Sequence, residues 1–508
     1  MPGAKGPFSS SNIKLPKSFS LSNGITTAAN YKKLSLLLLA LAVALVFVSD
    51  LTVIHSDPWF ELQRMLIGVV TPDFSQIDQL GFSILTTLAF AILGVAGGLL
   101  LGFLLALYYP QSALLRTICA LTRSVHELFW GLILIQIFGL SSPAGLLAIA
   151  IPYSCTFAKV FAEQIEHASN QPLNALASSH GLAAQLYAKV PLVCQQMKSY
   201  ILYRTECALR ASAILGFIGL PTLGFHLETA LSHGDYSTAA AVLYLFVLLA
   251  GSLRWWLRGW SWLLAVVVSS FTISWEHHFQ LRFLWRFVSQ DIVPAPLKNG
   301  WVDGWPQALL DWLISLLPQI SDGVLNNLQV GFLAMVFSGS IGLIAFPLVA
   351  DNLNSGKKLW LSRLLLLIVR SLPEFLLAFV LLIVFGPSLL PGLLALAIHN
   401  GAVIAYMVAR YSEGLHLRDD ASRGGYLYFY EVLPRLYGSF LAFLFYRWEV
   451  IMRETAVLGV IGIPTLGFYI DSAFEEFRLD RAFLLVFISA LLNLLVDQFS
   501  RRVRSRLG

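Results

Sequence analysis

The chain of 508 residues is 57% hydrophobic and 12% charged, with a mean hydropathy of +0.72. A soluble globular domain carries about a quarter charged residues, so that class is excluded. The net charge of +5 does not indicate a nucleic-acid binder, because lysine and arginine gather in short loops and tails instead of sharing one polar face with aromatics. The 4 cysteines are widely spaced and form no CxxC pair, so neither a metal site nor a disulfide framework is implied.

The apolar residues gather in runs of roughly 15–25, which at about 1.5 Å per residue cross a hydrocarbon layer of about 30 Å. Residues 1–33 form a basic lead-in with Lys5, Lys14, Lys17, Lys32 and Lys33 and no acid. An uncleaved first span follows at 34–48, since no small-residue cleavage pattern comes after it. Further spans are expected near 80–108, 119–140, 144–165, 194–216, 237–255, 259–275, 322–350, 359–386, 389–411, 436–459 and 481–498. With the N-terminus inside, Arg116, Arg254, Arg258, Lys357, Lys358 and the arginine-rich tail all fall inside, whereas Asp50, Asp57, Glu61, Glu228, Asp235 and Asp471 fall outside. That asymmetry satisfies the positive-inside rule and puts both termini in the cytoplasm. The fold class is therefore an all-α polytopic membrane protein of about twelve transmembrane helices. Nine of the 13 tryptophans lie between Trp255 and Trp312, where indole rings suit the interfaces at a junction of halves.

An internal repeat organises these spans. RSVHE (Arg123–Glu127) recurs as RSLPE (Arg370–Glu374), and GLLAIAI (Gly145–Ile151) recurs as GLLALAI (Gly392–Ile398), each 247 residues later. Tyr203–Phe225 recurs as Tyr446–Phe468 at a separation of 243. Ordered blocks at a nearly constant separation mark a tandem duplication. Six spans per copy is an even number, so the copies are parallel, related by an axis along the membrane normal. The expected divisions are 1–33, a first half at 34–255 with its core at about 80–255, a linking span and external loop at 256–321, and a second core at 322–508.

Each copy carries two acid–base pairs at i, i+4: Arg123 with Glu127 and Glu206 with Arg210, then Arg370 with Glu374 and Glu449 with Arg453. That spacing puts both partners on one helix face. Glu206 and Glu449 stand about ten residues into their spans, or roughly 15 Å deep. A carboxylate there must be paired or wetted, so the pairs either line a pathway or lock helices together. Gly94, Gly98 and Gly102, like Ala334, Ser338 and Gly342, form small-residue stripes suited to close helix packing. Between the fourth and fifth spans of each half, Gln171–Val190 and His416–Val432 have helical periodicity without enough apolarity to span, so they should lie across the cytoplasmic end. No nucleotide-binding loop, HExxH or GxSxG occurs, so no catalytic residue, metal ligand or cofactor is assigned. His277 and His278 read as a surface loop.

RSxxE, GLLAxAI, a cytoplasmic loop ending in proline and YRxExxxRxxxxLGxxG, in that order and twice, resemble the permeases of binding-protein-dependent ABC importers, in particular the phosphonate-type branch. The resemblance covers about 80–255 and 320–500. It implies the type I ABC importer transmembrane fold with two permease halves in one chain. It also implies coupling helices around Leu173–Pro191 and Arg418–Pro434, with Gly181 and Gly424 as their glycines. Asn174-Ala175 and Asp420-Ala421 stand where the family has a Glu-Ala pair. The glycine-rich tails would form an external gate at Gly219, Pro221, Gly224, Gly462, Pro464 and Gly467. The implied partners are two cytoplasmic ATP-binding subunits, which hydrolyse ATP, and an external solute-binding protein. The implied solute is a phosphorus oxyanion (phosphonate, phosphite or phosphate), and the implied location is a bacterial inner membrane. The competing reading is a gradient-driven carrier in which Glu206 and Glu449 bind protons.

Overall fold

A computed structural model describes residues 21–75, 77, 79–175, 181–275, 280–298, 304–418 and 424–507, and among the described residues there is no strand. The chain begins with α1 (Leu21–Val48) and α2 (Pro58–Val70). Its helices divide into two compact units, Arg64–Val293 and Pro294–Gly508, the latter joined by the lead-in up to Gln63.

In the first unit, α3 (Leu80–Tyr108), α4 (Ala113–Ser124), α5 (Glu127–Phe138) and α6 (Ser142–His167) precede two short helices, α7 (Gln171–Ala175) and α8 (Leu182–Ala188). Then come α9 (Val190–Ile214), α10 (Leu223–Ser232), α11 (Tyr236–Trp256), α12 (Trp260–Thr272) and α13 (Leu281–Arg286). The expected small-residue stripe of α3 seats α6. A Cβ on Gly98 would stand 2.9 Å from the Tyr153 Cβ, and one on Gly102 would stand 2.6 Å from the Ser154 carbonyl oxygen. Backbone contact this close needs hydrogen in place of a side chain. Phe90, Phe157, Phe161 and Leu209 fill the core beside it.

The second unit repeats the plan with α14 (Trp305–Val349), α15 (Gly356–Ser371), α16 (Glu374–Phe385), α17 (Leu389–Glu413), α18 (Leu433–Val457), α19 (Leu466–Glu475) and α20 (Leu479–Leu507). Gly342 of α14 meets Gly401 and Ile404 of α17, as Gly102 meets Ser154 and Phe157 in the first unit. The α14 stripe lies 240 residues after that of α3, and its partners on α17 lie 247 residues after those on α6.

Among the described residues seven helices are long and apolar enough to cross a membrane, and four bent pairs raise the number to 11. The expected span at 259–275 is only the 13-residue α12, about 20 Å long. Two other expected spans, 119–140 and 359–386, are not straight. They turn by 95° between α4 and α5 and by 88° between α15 and α16. Val125 and Leu372 are extended at these breaks. His126 caps α5 by accepting the Leu128 N–H at 3.2 Å, and Trp130 donates back across the corner to the Thr122 carbonyl at 3.1 Å. The expected span at 322–350 is the second part of a 45-residue helix that begins inside the expected external loop.

Sequence order groups the 34–48 span with the first half, but its side chains pack in the second unit. Ala42 belongs to that unit's core, and the Tyr31 ring lies 6.3 Å from Tyr437. Ser35 Oγ is 2.7 Å from the Tyr437 hydroxyl, and the Asp50 carbonyl accepts the Leu389 N–H at 3.1 Å. Conversely α12, which precedes the second half, lies against α3, with Trp262 and Ala265 on the first unit's core. Each unit is thus clad by the apolar helix that leads into the other.

Candidate functional site

In each unit the helix bearing the YRxExxxR block ends in a 3₁₀ turn, Leu215–Ile218 or Leu458–Ile461. It then bends, by 51° into α10 and by 45° into α19. Gly219 and Gly462 sit at the bends with φ of 92° and 91°, a left-handed backbone that only glycine adopts without strain. Pro221 and Pro464 follow, and a Cβ on Gly224 or Gly467 would overlap the carbonyl of Ala213 or Ala456. The residues expected at the gate therefore form one compact hinge, twice. In the first unit the Leu223 N–H donates to Thr87 Oγ1 at 2.9 Å. In the second, Asn326 Nδ2 donates to the Pro464 carbonyl at 2.8 Å.

The helix breaks between Arg123 and Glu127 and between Arg370 and Glu374, so neither pair shares one unbroken helix face as expected. Glu127 lies 3.4 Å from His126 Nε2, and Glu374 lies 3.3 Å from His399 Nε2. The Arg370 guanidinium sits 4.1 Å above the Tyr406 ring. Glu206 and Arg210 do share the unbroken α9, as Glu449 and Arg453 share α18. Arg210 also donates to Cys207 Sγ at 3.5 Å, and Glu449 approaches Arg504 at 4.0 Å.

Sequence reasoning passed over the arginine that opens each block. Arg447 of α18 is only 8% exposed. Its Nε donates to Asn400 Oδ1 at 2.9 Å, its Nη2 donates to the same oxygen, and it lies 3.8 Å from Glu454 Oε1. Asn400 in turn donates to Glu454 Oε2 at 3.2 Å, and Glu374 reaches the same cluster. The counterpart Arg204 of α9 is held differently. Its Nε donates to the Tyr200 hydroxyl at 2.8 Å, and its guanidinium lies 5.5, 5.3 and 5.8 Å from the rings of Tyr153, Tyr200 and Tyr203. The signal was present, since YR recurs with the repeat, but the side chains around each arginine come from positions where the copies differ.

Of the segments expected across the cytoplasmic end, the first folds as two short helices, with Asn174 and Ala175 closing α7 and Gly181 exposed ahead of α8. Leu186 and Lys189 there help enclose a cavity of about 150 Å³ with Ala106, Pro110, Ile165 and Glu166. In the second segment Asp420 and Ala421 lie outside the described residues, as does His180 in the first. Gly424, at φ 69°, starts a helical turn that runs through a π-helical stretch, Leu427–Val432, into α18. Pro191 and Pro434 both occupy a first turn, where proline's missing N–H is harmless. Tyr187 is 86% exposed on α8, and Tyr426, Phe429 and Tyr430 are exposed on the second segment, where the two tyrosine rings stack at 6.1 Å. Among the described residues no cluster of three metal-ligating side chains occurs.

A multi-pass helical membrane protein built from two copies of one unit, each with a bent, arginine-bearing helix, has the make-up of a transport permease. Over 501 residues the chain is 24% identical to the phosphate-import permease protein PhnE of Mycolicibacterium smegmatis, covering 92% of each chain. It is also 30% identical over 182 residues to the phosphite transport system permease protein PtxC of Stutzerimonas stutzeri, covering 34% of this chain and 66% of that one. The chain belongs to the phosphonate-type permeases of ABC importers, with two permease halves fused. No family profile and no solved structure matches it.

Proposed function

We propose that this chain forms the translocation path of an ATP-driven importer for a small phosphorus oxyanion: phosphate, phosphite or phosphonate. The observation that carries this reading is end-to-end similarity to a phosphate-import permease, both halves included. On this reading ATP is hydrolysed by two cytoplasmic partner subunits seated on the segments around Gly181 and Gly424. The exposed aromatics there suit insertion into a partner's groove. An external solute-binding protein then docks at the hinges of Gly219–Gly224 and Gly462–Gly467. Arg123, Glu127, Glu206, Arg210, Arg370, Glu374, Glu449 and Arg453 line the path or hold it together. The membrane is the bacterial inner membrane, with both termini cytoplasmic.

The test is purification of the tagged chain from its native host in mild detergent, followed by uptake assays in cells deleted for it. Two ATP-binding chains per permease, and loss of phosphate, phosphite or methylphosphonate uptake in the deletion strain, are expected. A permease that purifies alone after crosslinking, with uptake abolished by collapse of the proton gradient and not by ATP depletion, would replace this reading with the gradient-driven one.

A further inference from the structure

The duplication has diverged at one buried point in a way that creates a charge imbalance. Arg204 and Arg447 occupy equivalent places on α9 and α18, 243 residues apart. The residues facing them have changed: Tyr153 on α6 stands where α17 has Asn400, and Ala211 on α9 stands where α18 has Glu454. In the second unit the guanidinium donates twice to Asn400 and faces the Glu454 carboxylate at 3.8 Å. In the first, no carboxylate oxygen lies within 4.0 Å of Arg204 among the described residues.

What holds Arg204 leaves most of it available. Of its five N–H bonds only Nε–H is used, by the Tyr200 hydroxyl. The two terminal nitrogens have no acceptor among the described residues, and the side chain is partly exposed. Three tyrosine rings meet the cation with their faces, which stabilises positive charge without occupying the donors. A cation with no carboxylate in contact about 20 Å along α9 is costly, and residues of that kind mark solute pathways. The unbonded fork of a guanidinium matches the paired oxygens of an oxyanion.

We infer that Arg204, set among Tyr153, Tyr200 and Tyr203, is a transit site for the phosphorus oxyanion, and that it lies in the first half only because Glu454 neutralises its counterpart. This rests on the import reading above. A tyrosine cage suits transit better than a lysine or arginine cluster does, because an anion must bind there and leave again.

The test uses the whole importer in proteoliposomes, permease with its ATP-binding subunits and binding protein, supplied with phosphate, phosphite or methylphosphonate. In Arg204→Gln the solute moved per ATP hydrolysed should fall about tenfold, and in Arg204→Lys, which keeps charge but loses the fork, about threefold. An unchanged ratio in Arg204→Gln, including one in which transport and hydrolysis fall together as a packing role would dictate, overturns the site. If Arg204→Gln fails to accumulate, Arg204→Lys decides: a lowered ratio supports the site and a wild-type ratio overturns it. Should the wild type move none of the three solutes, the import reading itself falls, and the site falls with it.

Discussion

Two buried side chains show how divergence between copies redistributes stability. Thr87 of α3 bonds the first backbone N–H of α10, while its counterpart Asn327 on α14 is fully buried with neither amide atom bonded among the described residues. An unsatisfied buried polar group costs about 1–3 kcal/mol. Asn327→Thr, which restores the first unit's arrangement, is therefore expected to raise thermal stability in detergent by about 1 kcal/mol. A lower melting temperature would mean that the Leu466 N–H is out of reach. The Arg447–Glu454 pair is the opposite case, a buried ion pair bridged by Asn400. Arg447→Met alone strands Glu454 and should cost about 3–5 kcal/mol, whereas Arg447→Met with Glu454→Leu should recover most of the loss. A double-mutant cycle on unfolding temperature measures the difference, and strict additivity would show that the two side chains do not interact.

Helix direction is decided by tertiary contacts more than by local breakers. The α4–α5 corner reaches 95° with no proline, while the α15–α16 corner reaches 88° with Pro373 at its apex. Proline is thus compatible with this turn without causing it. Pro373→Ala should leave the corner in place and alter stability by no more than about 1 kcal/mol, chiefly by loosening the unfolded chain. Cysteine crosslinking across the corner checks the geometry, and loss of the crosslink would assign the bend to proline after all. The gate-like hinges depend on glycine for two separate reasons, positive φ at Gly219 and Gly462 and backbone overlap at Gly224 and Gly467. The spacing rule for Arg123 and Glu127 presumes an unbroken helix, and the break falls between them.

For the whole molecule, the crossed cladding helices have a direct consequence. α1 is covalently part of the first half but packs through Ala42, Tyr31 and Ser35 into the second unit. A chain expressed as two fragments, cut within 276–303, should therefore co-purify from membranes. Removing residues 1–52 from the N-terminal fragment should weaken that association several-fold, by the loss of the buried apolar face of α1. Equal recovery with and without α1 would show that the helix contributes nothing to holding the fragments together. The second half cannot be considered self-contained in sequence order, because one wall of its core comes from the start of the chain.

Composition and hydropathy determined that this chain is an all-helical membrane protein, since apolar runs of that length have no stable alternative once water is absent. The duplicated motifs determined its repeat and its family resemblance, because short blocks recurring in order survive divergence elsewhere. Tertiary structure decided that both corners bend alike, since Val125 is extended with no local signal while Leu372 precedes a proline. It alone decided that α1 clads the second unit and α12 the first, because periodicity identifies an apolar face and never its partner. It also decided which of two equivalent arginines keeps its donors free. That outcome depends on Tyr153, Asn400 and Glu454 arriving from helices or turns distant in sequence, and only folding brings them to the same place.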